Sequence, residues 1–319
     1  MNTLDQDLPL VPAAEPAAAI RRNLKTKSTQ LWKETLLGYF FLAPSLALFL
    51  VFLFYPLLQS LYLSVHETDP RGRVAGYVGF DNFIDMFTSA KFYKSLEVTG
   101  LFTLLTVPTG IALSLLLAAL THNRLRGMRV FQFIFSLPVV LSVSTSAVIW
   151  MMLYHPSVGM INYLLSLIGM QPVAWLTDPK WALISVSVMT IWMNLGFTYI
   201  VLLSGLQNIS DDMYDSAKID GAGPFRTFVQ VVMPLLSPTV FFVTIVSMIN
   251  AFQSFGQINI LTKGGPVDAT NVLVYSIYQD AFINFRFGTG SAQALVLFTL
   301  ILILTFVQFK AFERNVHYQ

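Results

Sequence analysis

The most constraining feature of this 319-residue sequence is a set of long apolar stretches that contain no Asp, Glu, Lys or Arg. A helix needs about 20 apolar residues to cross the hydrocarbon layer of a membrane. The stretches that reach that length are Gly38–Val65, Val98–Thr121, Val130–Tyr154, Trp181–Ser210, Val231–Thr262 and Phe287–Phe309. All 19 basic and 17 acidic residues lie outside them. Because a charge at the centre of a membrane helix costs about 2.5–3.5 kcal/mol, this exclusion predicts that the six stretches span a bilayer.

The composition leads to the same prediction. Hydrophobic residues make up 55% of the chain and charged residues only 11%, whereas a soluble domain carries about 25% charged residues. We therefore predict an all-α polytopic membrane protein with about six transmembrane helices, and not a soluble enzyme. The net charge of +2 gives no indication of a nucleic-acid partner. A seventh charge-free run, Ala269–Gln279, is too short to span and is expected at an interface or inside a loop.

The chain offers few residues for catalysis or cofactor binding. It has no cysteine, which excludes disulfide bonds and thiolate-ligated metal centres. Its four histidines are scattered near the ends of the stretches, without the spacing of a metal site or a catalytic dyad. The sequence also lacks the Gly-Lys dipeptide of a phosphate-binding loop, so we expect no bound cofactor and no ATP hydrolysis by this chain alone.

The most informative polar segment joins the fourth and fifth stretches. Ser210 can cap a helix, in which Asp211 and Asp212 of the first turn are favoured by the helix dipole. Gly221 and Pro224 end that helix, and a second short helix follows. The pattern predicts a helix–turn–helix across the membrane surface with an exposed, partly acidic tip. Residues expected to share a face are Met213, Tyr214 and Ala217 in the first helix, and Phe225, Phe228, Val229 and Val232 in the second.

The same segment resembles the EAA loop of permease subunits in binding-protein-dependent ABC importers. It reads Asp215-Ser216-Ala217-Lys218-Ile219-Asp220-Gly221-Ala222-Gly223 and closes at Met233-Pro234. Asp215 stands where the family has glutamate, and Ser216 where it has alanine. The resemblance implies the type I importer permease fold, with this loop as a cytoplasmic coupling helix that docks in a cleft of a separate ATPase subunit. It implies a coupling role for Tyr214, Asp215, Ala217, Asp220, Gly221, Ala222, Gly223 and Pro234.

The resemblance also implies partners and a location. A permease of this family works with a second permease subunit, two ATPase subunits that bind ATP and Mg²⁺, and an extracytoplasmic solute-binding protein, in the bacterial inner membrane. Lys and Arg are more frequent on the side that holds the N-terminus, which places both termini in the cytoplasm. The predicted segments are a cytoplasmic tail and interfacial segment (1–37), a first transmembrane helix (38–65), a periplasmic loop (66–97), a core permease domain (98–312) that contains the coupling loop (210–234), and a cytoplasmic C-terminus (313–319).

Two further matches narrow the expected cargo. The segment from Leu261 to Pro266 resembles the Leu-Thr-x-Gly-Gly-Pro loop of carbohydrate-type permeases, and residues 307–319 resemble the end of glycerol-3-phosphate permease subunits. These matches imply import of a sugar or sugar-related solute, with sn-glycerol-3-phosphate as the leading candidate. A phosphate favours a cation or a helix N-terminus, yet no stretch contains Lys or Arg. A neutral sugar or oligosaccharide is therefore the alternative, unless a partner subunit supplies the cation.

Polar side chains inside the fourth and fifth stretches are candidate pathway residues, because an intramembrane polar group usually marks a substrate route. The positions that resemblance to maltose permease subunits implies as sugar contacts are Thr190, Met193, Asn194, Phe197, Ser247, Ala251 and Ser254. Asn250 and Gln253 are added on polarity alone.

Two other classes of membrane protein are open alternatives. An ion-coupled secondary carrier would need buried acidic residues or paired inverted repeats. A membrane-embedded enzyme would need a catalytic cluster at one membrane face. The six stretches contain no Asp or Glu, and the sequence has no evident catalytic cluster, so the importer interpretation is favoured.

Overall fold

A computed structural model describes residues 34–122 and 127–312 of the chain. Most of the predicted N-terminal segment (1–37) and the predicted C-terminus (313–319) lie outside the described residues. The chain divides into two packing units, one that ends at Gln59 and one that begins at Ser60.

The described residues are mostly helical. The helices in chain order are α1 (Glu34–Ser64), α2 (Asp81–Thr88), α3 (Ala90–Thr121), α4 (Met128–Ser136), α5 (Val143–Leu153), α6 (Met160–Leu167), α7 (Pro179–Gln207), α8 (Asp211–Ile219), α9 (Pro224–Thr227), α10 (Met233–Phe252), α11 (Gly256–Leu261), α12 (Leu273–Tyr278) and α13 (Phe287–Phe312). A π-helical turn, Phe228–Val232, joins α9 to α10. An antiparallel hairpin of β1 (His66–Thr68) and β2 (Val74–Tyr77), which the sequence analysis did not predict, follows α1.

The helices confirm the predicted fold class. Over the described residues, the segments long and apolar enough to cross a membrane are Glu34–Ser64, Ala90–Thr121, Pro179–Gln207, Pro224–Leu261 and Phe287–Ala311. A sixth crossing requires α4 and α5, with the turn between them, to act as one span. No residue in the most apolar part of α1 is buried inside the protein. A helix that is apolar and exposed on all sides is suited to lipid rather than water.

The third predicted span, Val130–Tyr154, is not one straight helix. α4 runs into a 3₁₀ turn, Leu137–Val140, and the axis then changes direction by 106° before α5. Pro138 has no amide hydrogen to continue the helical pattern. Ser142 then starts α5, because its side-chain oxygen accepts from the amide of Thr145 at 3.2 Å. The third predicted span therefore consists of two helices joined by a bent turn.

Close packing of α7 holds this bend. A Cβ atom at Gly196 of α7 would lie 2.7 Å from the amide nitrogen of Val139 and 2.8 Å from the carbonyl oxygen of Ser136. Small residues let membrane helices approach each other this closely. The backbone of the bend is thus covered by α7, and only glycine leaves room for it.

The short charge-free run, Ala269–Gln279, packs inside a loop. This is one of the two positions that the sequence predicted for it. It contains α12, whose Leu273 and Tyr275 are buried. The amide of Leu273 donates to the side-chain oxygen of Thr99 on α3 at 2.8 Å. This bond ties the loop between the last two spans to the bundle.

An apolar cluster lies beside the polar loop, and we call it the loop-side cluster. This loop-side cluster joins the ends of α3 and α7 to the start of α10. Its buried members are Ala118, Leu195, Tyr199, Leu202, Leu203, Leu206, Val232, Leu236 and Val243.

We predict that Gly196→Ala destabilises the protein by about 1–3 kcal/mol, the usual range for overpacking. The added methyl group meets backbone atoms of the bend, which cannot move as a side chain can. The matched control is Gly100→Ala on α3, where a Cβ would meet nothing within 4 Å. Thermal unfolding in detergent checks the difference, and equal midpoints for the two variants would contradict the packing described here.

Candidate functional site

The predicted coupling loop forms the helix–turn–helix that the sequence indicated. α8 begins after Ser210, whose extended backbone makes it the N-cap residue, although its side chain forms no capping hydrogen bond. Asp211 and Asp212 occupy the first turn and Lys218 the last. Each charge therefore has the sign that the helix dipole favours at that end.

Gly221 gives α8 a defined end. Its φ angle is +72°, in the left-handed region that side chains other than glycine and asparagine rarely adopt. The amide of Ala222 donates to the carbonyl oxygen of Ala217 at 2.9 Å, and the amide of Gly221 donates to that of Lys218 at 3.0 Å. This pair of bonds is the Schellman motif. The Asp220-Gly221-Ala222 string thus has a local backbone explanation.

One face of α8 belongs to the helix bundle. Ala217 is buried, and half-buried Tyr214 packs against the loop-side cluster. Met213, which was predicted to share this face, is exposed. The prediction is therefore correct for Tyr214 and Ala217 and wrong for Met213. Burial, followed by the charge of Asp211, raises the pKa of Tyr214. The phenol therefore remains neutral under physiological conditions.

In the second part of the loop, too, only some of the apolar residues pack against the bundle. Phe228 packs against the loop-side cluster, of which Val232 is a buried member. Phe225 and Val229, predicted to share their face, are exposed. The π-helical turn Phe228–Val232 changes the helical register at this point, which the 3.6-residue period could not anticipate.

The surface around the end of α8 and the start of α9 is exposed and chemically mixed. Ile219 is 86% exposed and Phe225 is 82% exposed. The Lys218 ammonium lies 2.9 Å from the Asp215 carboxylate, and this hydrogen bond, with the charge of Asp215, raises the pKa of Lys218. Large apolar side chains beside an exposed ion pair are typical of a surface that another protein covers.

A cavity of about 1360 Å³ lies between the loop and the ends of α3 and α4. His122 and Gln132 line it on the bundle side, and Tyr214, Asp215 and Lys218 line it on the loop side. Of the remaining predicted coupling residues, Ala222 lines this cavity, Asp220 and Gly223 flank the turn, and Pro234 lies in the first turn of α10.

The predicted pathway residues come together only in part. Asn194 of α7 lines a cavity of about 20 Å³ together with Ser247 and Ala251 of α10. Thr190 is buried and accepts from the side-chain amide of Gln257 at 3.4 Å. Such a cavity holds about one water molecule.

The other predicted pathway residues lie apart from this cavity. Phe197, Asn250 and Gln253 are exposed, and Met193 is half-buried. Ser254 is buried and donates to the carbonyl oxygen of Asn250 at 2.9 Å, at the break between α10 and α11.

Sequence reasoning missed the contribution of α3. Thr106 and Gly110 of this helix line the small cavity, as does Thr198 of α7. Their signal was available, because each is a small or polar residue inside an apolar stretch. The resemblance directed attention to the two spans beside the loop and away from α3. The described residues contain no group of three or more His, Asp or Glu that could hold a metal ion.

Comparison with known proteins identifies the class. A profile of the family described as binding-protein-dependent transport system inner membrane component matches residues 107–318. The chain belongs to this family of ABC importer permease subunits, which are multi-pass proteins of the inner membrane. Membership supports the importer interpretation over an ion-coupled carrier or a membrane-embedded enzyme.

Individual relatives are similar over nearly the whole chain. The chain is 33% identical over 297 residues to the sn-glycerol-3-phosphate transport system permease protein UgpA of Pectobacterium atrosepticum, covering 92% of this chain and 100% of the relative. It is 35% identical over 291 residues to UgpA of Rhizobium meliloti, covering 90% of this chain and 98% of the relative.

Solved structures share the fold. A bacterial ABC transporter involved in the import of the acidic polysaccharide alginate has a chain that matches with a TM-score of 0.79 and 25% identity, covering 90% of this chain and 100% of that one. A second structure, of an alginate transporter in complex with its alginate pentasaccharide-bound periplasmic protein, matches with the same TM-score and identity, covering 88% and 96%.

We predict that Gly221→Val loosens the end of α8. A left-handed conformation costs a residue with a Cβ about 1–2 kcal/mol, and 1.4 kcal/mol corresponds to a factor of ten. Hydrogen exchange at the amide of residue 222 should therefore accelerate by about tenfold. Gly223→Ala is the matched control, because Gly223 has a φ of −69° and open space around it. Equal exchange rates in the two variants would show that Gly221 does not fix the cap.

Proposed function

We propose that this chain forms, with a second permease subunit, the translocation pathway of an ATP-driven importer for sn-glycerol-3-phosphate. The observation that carries the proposal is the two-faced loop: α8 is capped at a fixed end, packed on the bundle by one face and exposed on the other. A loop built only to connect two spans has no need of an exposed apolar surface beside its turn.

The motor of this importer is a pair of separate ATPase subunits, on which ATP and Mg²⁺ are bound. The surface we assign to them consists of Ile219 of α8 and Phe225 of α9, with the exposed Asp215–Lys218 pair at the edge of the neighbouring cavity. Asp215 has a shorter arm than the glutamate it replaces, and it can exchange Lys218 for a cation of the motor. This chain supplies no phosphate-binding loop of its own.

Movement reaches the pathway through the loop-side cluster. Tyr214, Phe228 and Val232 join the loop to α7 and α10. These two helices also carry Asn194 and Ser247, which line the small polar cavity. A rigid-body shift of α8 would therefore alter the distance between the pathway helices, as alternating access requires.

The pathway itself is completed by the second permease subunit. A cavity of about 20 Å³ is too small for glycerol-3-phosphate, so the cargo passes where the bundle opens. Asn250 and Gln253 are exposed on this chain although they lie in an apolar span. Polar groups in spans avoid lipid and face a bundle interior or a water-filled route. The surface with these residues is thus the one we assign to the route between subunits.

The proposed topology places the loop in the cytoplasm with both termini. The loop 66–97 is then periplasmic and lies on the side where a solute-binding protein delivers the cargo. Residues 38–65 form the first transmembrane helix, and residues 98–312 form the core permease domain. The excess of Lys and Arg on the loop side supports this orientation.

The cargo assignment is supported by relatives named as glycerol-3-phosphate permeases. One observation favours a second candidate, a neutral sugar or oligosaccharide: the six apolar stretches contain no Lys or Arg to pair with a phosphate. In the glycerol-3-phosphate assignment, the solute-binding protein or the second permease subunit provides the cation.

We predict that the complete importer, reconstituted in liposomes with Mg-ATP inside, accumulates labelled glycerol-3-phosphate. Excess unlabelled glycerol-3-phosphate should suppress the signal, and glycerol or maltose should not, because neither carries the phosphate that the binding protein recognises. Liposomes that contain ADP are the matched control. If maltose accumulates and glycerol-3-phosphate does not, the neutral alternative replaces this cargo. If neither glycerol-3-phosphate nor any sugar accumulates when ATP is supplied, the assignment to an importer of this solute class is contradicted.

A further inference from the structure

α3 is not adjacent to the coupling loop in the chain, although it helps to form the proposed pathway. The loop continues directly only into α7 before it and α10 after it. Yet Thr106 and Gly110 of α3 line the small polar cavity beside Asn194 and Ser247. If α7 and α10 move with the loop, α3 needs a contact of its own to move with them.

The contact that the structure provides is a pair of stacked rings. The His122 ring, at the end of α3, lies 6.0 Å from the Tyr214 ring of α8, with an angle of 22° between the ring planes. Offset stacking of aromatic rings is favourable at centroid separations of about 4.5–7 Å. Tyr214 is also the side chain by which α8 packs on the loop-side cluster.

The orientation of the His122 ring is fixed from its own helix. Nδ1 lies 2.8 Å from the carbonyl oxygen of Ala119. Since a carbonyl only accepts, Nδ1 carries the proton and donates. The bond therefore favours one orientation of the ring at the last turn of α3.

The last turn of α3 is in turn bonded to two further helices. The Thr121 hydroxyl donates to the carbonyl oxygen of Leu117 at 2.7 Å and accepts from the Tyr199 hydroxyl of α7, also at 2.7 Å. The side-chain amide of Gln132 on α4 donates to the carbonyl oxygen of Thr121 at 2.7 Å. One turn of helix therefore contacts α8, α7 and α4.

We infer that His122 is a positioning residue for transport: through its stack on Tyr214 it makes α3 follow the coupling helix. The inference rests on the proposed importer function. The sequence indicated neither a metal site nor a catalytic role for His122. The role inferred here is mechanical and involves no proton transfer or metal binding. The ring carries that role. The Nδ1 bond only favours its stacked orientation, which a packed phenyl ring can keep without it.

Two variants separate the ring from the hydrogen bond. His122→Phe retains a flat ring for stacking and loses the donor. His122→Asn places an amide donor near the position of Nδ1 and loses the ring. Both are compared with the wild-type importer in the same liposomes, and two rates are measured in each: ATP hydrolysis and uptake of whichever solute the wild type accumulates.

The expected result is a several-fold fall in uptake per ATP hydrolysed for His122→Asn, with ATPase binding and hydrolysis retained, and a ratio close to wild type for His122→Phe. An unchanged ratio in His122→Asn would overturn the inference, as would a ratio lowered equally in both variants. Parallel loss of ATPase binding and uptake in His122→Asn would also overturn it, because that pattern indicates a structural role alone. A wild type without ATP-dependent uptake contradicts the proposed function instead, so the two failures are distinguishable.

Discussion

The packing of Tyr214, Phe228 and Val232 against the loop-side cluster is the interaction on which the rest of this structure depends. A loop between two membrane spans can transmit force only if it is attached to the helices it must move. Here the attachment is largely apolar, with Val232 buried and Tyr214 and Phe228 half-buried, and Gly221 gives α8 a defined end. Because packed interfaces switch between discrete arrangements and do not deform continuously, a small displacement at α8 can become a rotation of whole helices.

The membrane imposes the second constraint, and it explains why the proposed pathway is lined by uncharged polar groups. Charges are excluded from the apolar stretches, so the side chains available inside the bundle are hydroxyls and amides such as Thr106, Asn194 and Ser247. A hydroxyl in this position can bond within its own helix, as Thr106 does by donating to the carbonyl oxygen of Phe102 at 2.7 Å. Such groups suit a solute that must pass and not remain bound. In the proposed importer, selection of the cargo is then left mainly to the solute-binding protein.

Much of this architecture could be predicted from local sequence signals, and the exceptions share one cause. The spans follow from charge exclusion, and the end of α8 follows from Gly221, because both depend only on nearby residues. The 106° bend after α4 could not be predicted, since it depends on the approach of Gly196 from another helix. The exposure of Met213 and Phe225, and the contribution of Thr106 to the cavity, likewise depend on how distant helices meet. The Tyr214–His122 stack joins segments far apart in the chain and has no local signature.

The claim that one face of α8 belongs to the bundle and the other to the motor can be tested by thiol labelling, because the chain has no cysteine of its own. Single variants Ile219→Cys, Ala217→Cys and Val158→Cys probe positions that are 86%, 5% and 81% exposed. In the purified permease pair, maleimide should label residues 219 and 158 and leave 217 unlabelled. Addition of the ATPase subunits should protect residue 219 and leave residue 158 reactive. Labelling of residue 219 that is equally fast with the ATPase subunits bound would contradict the account.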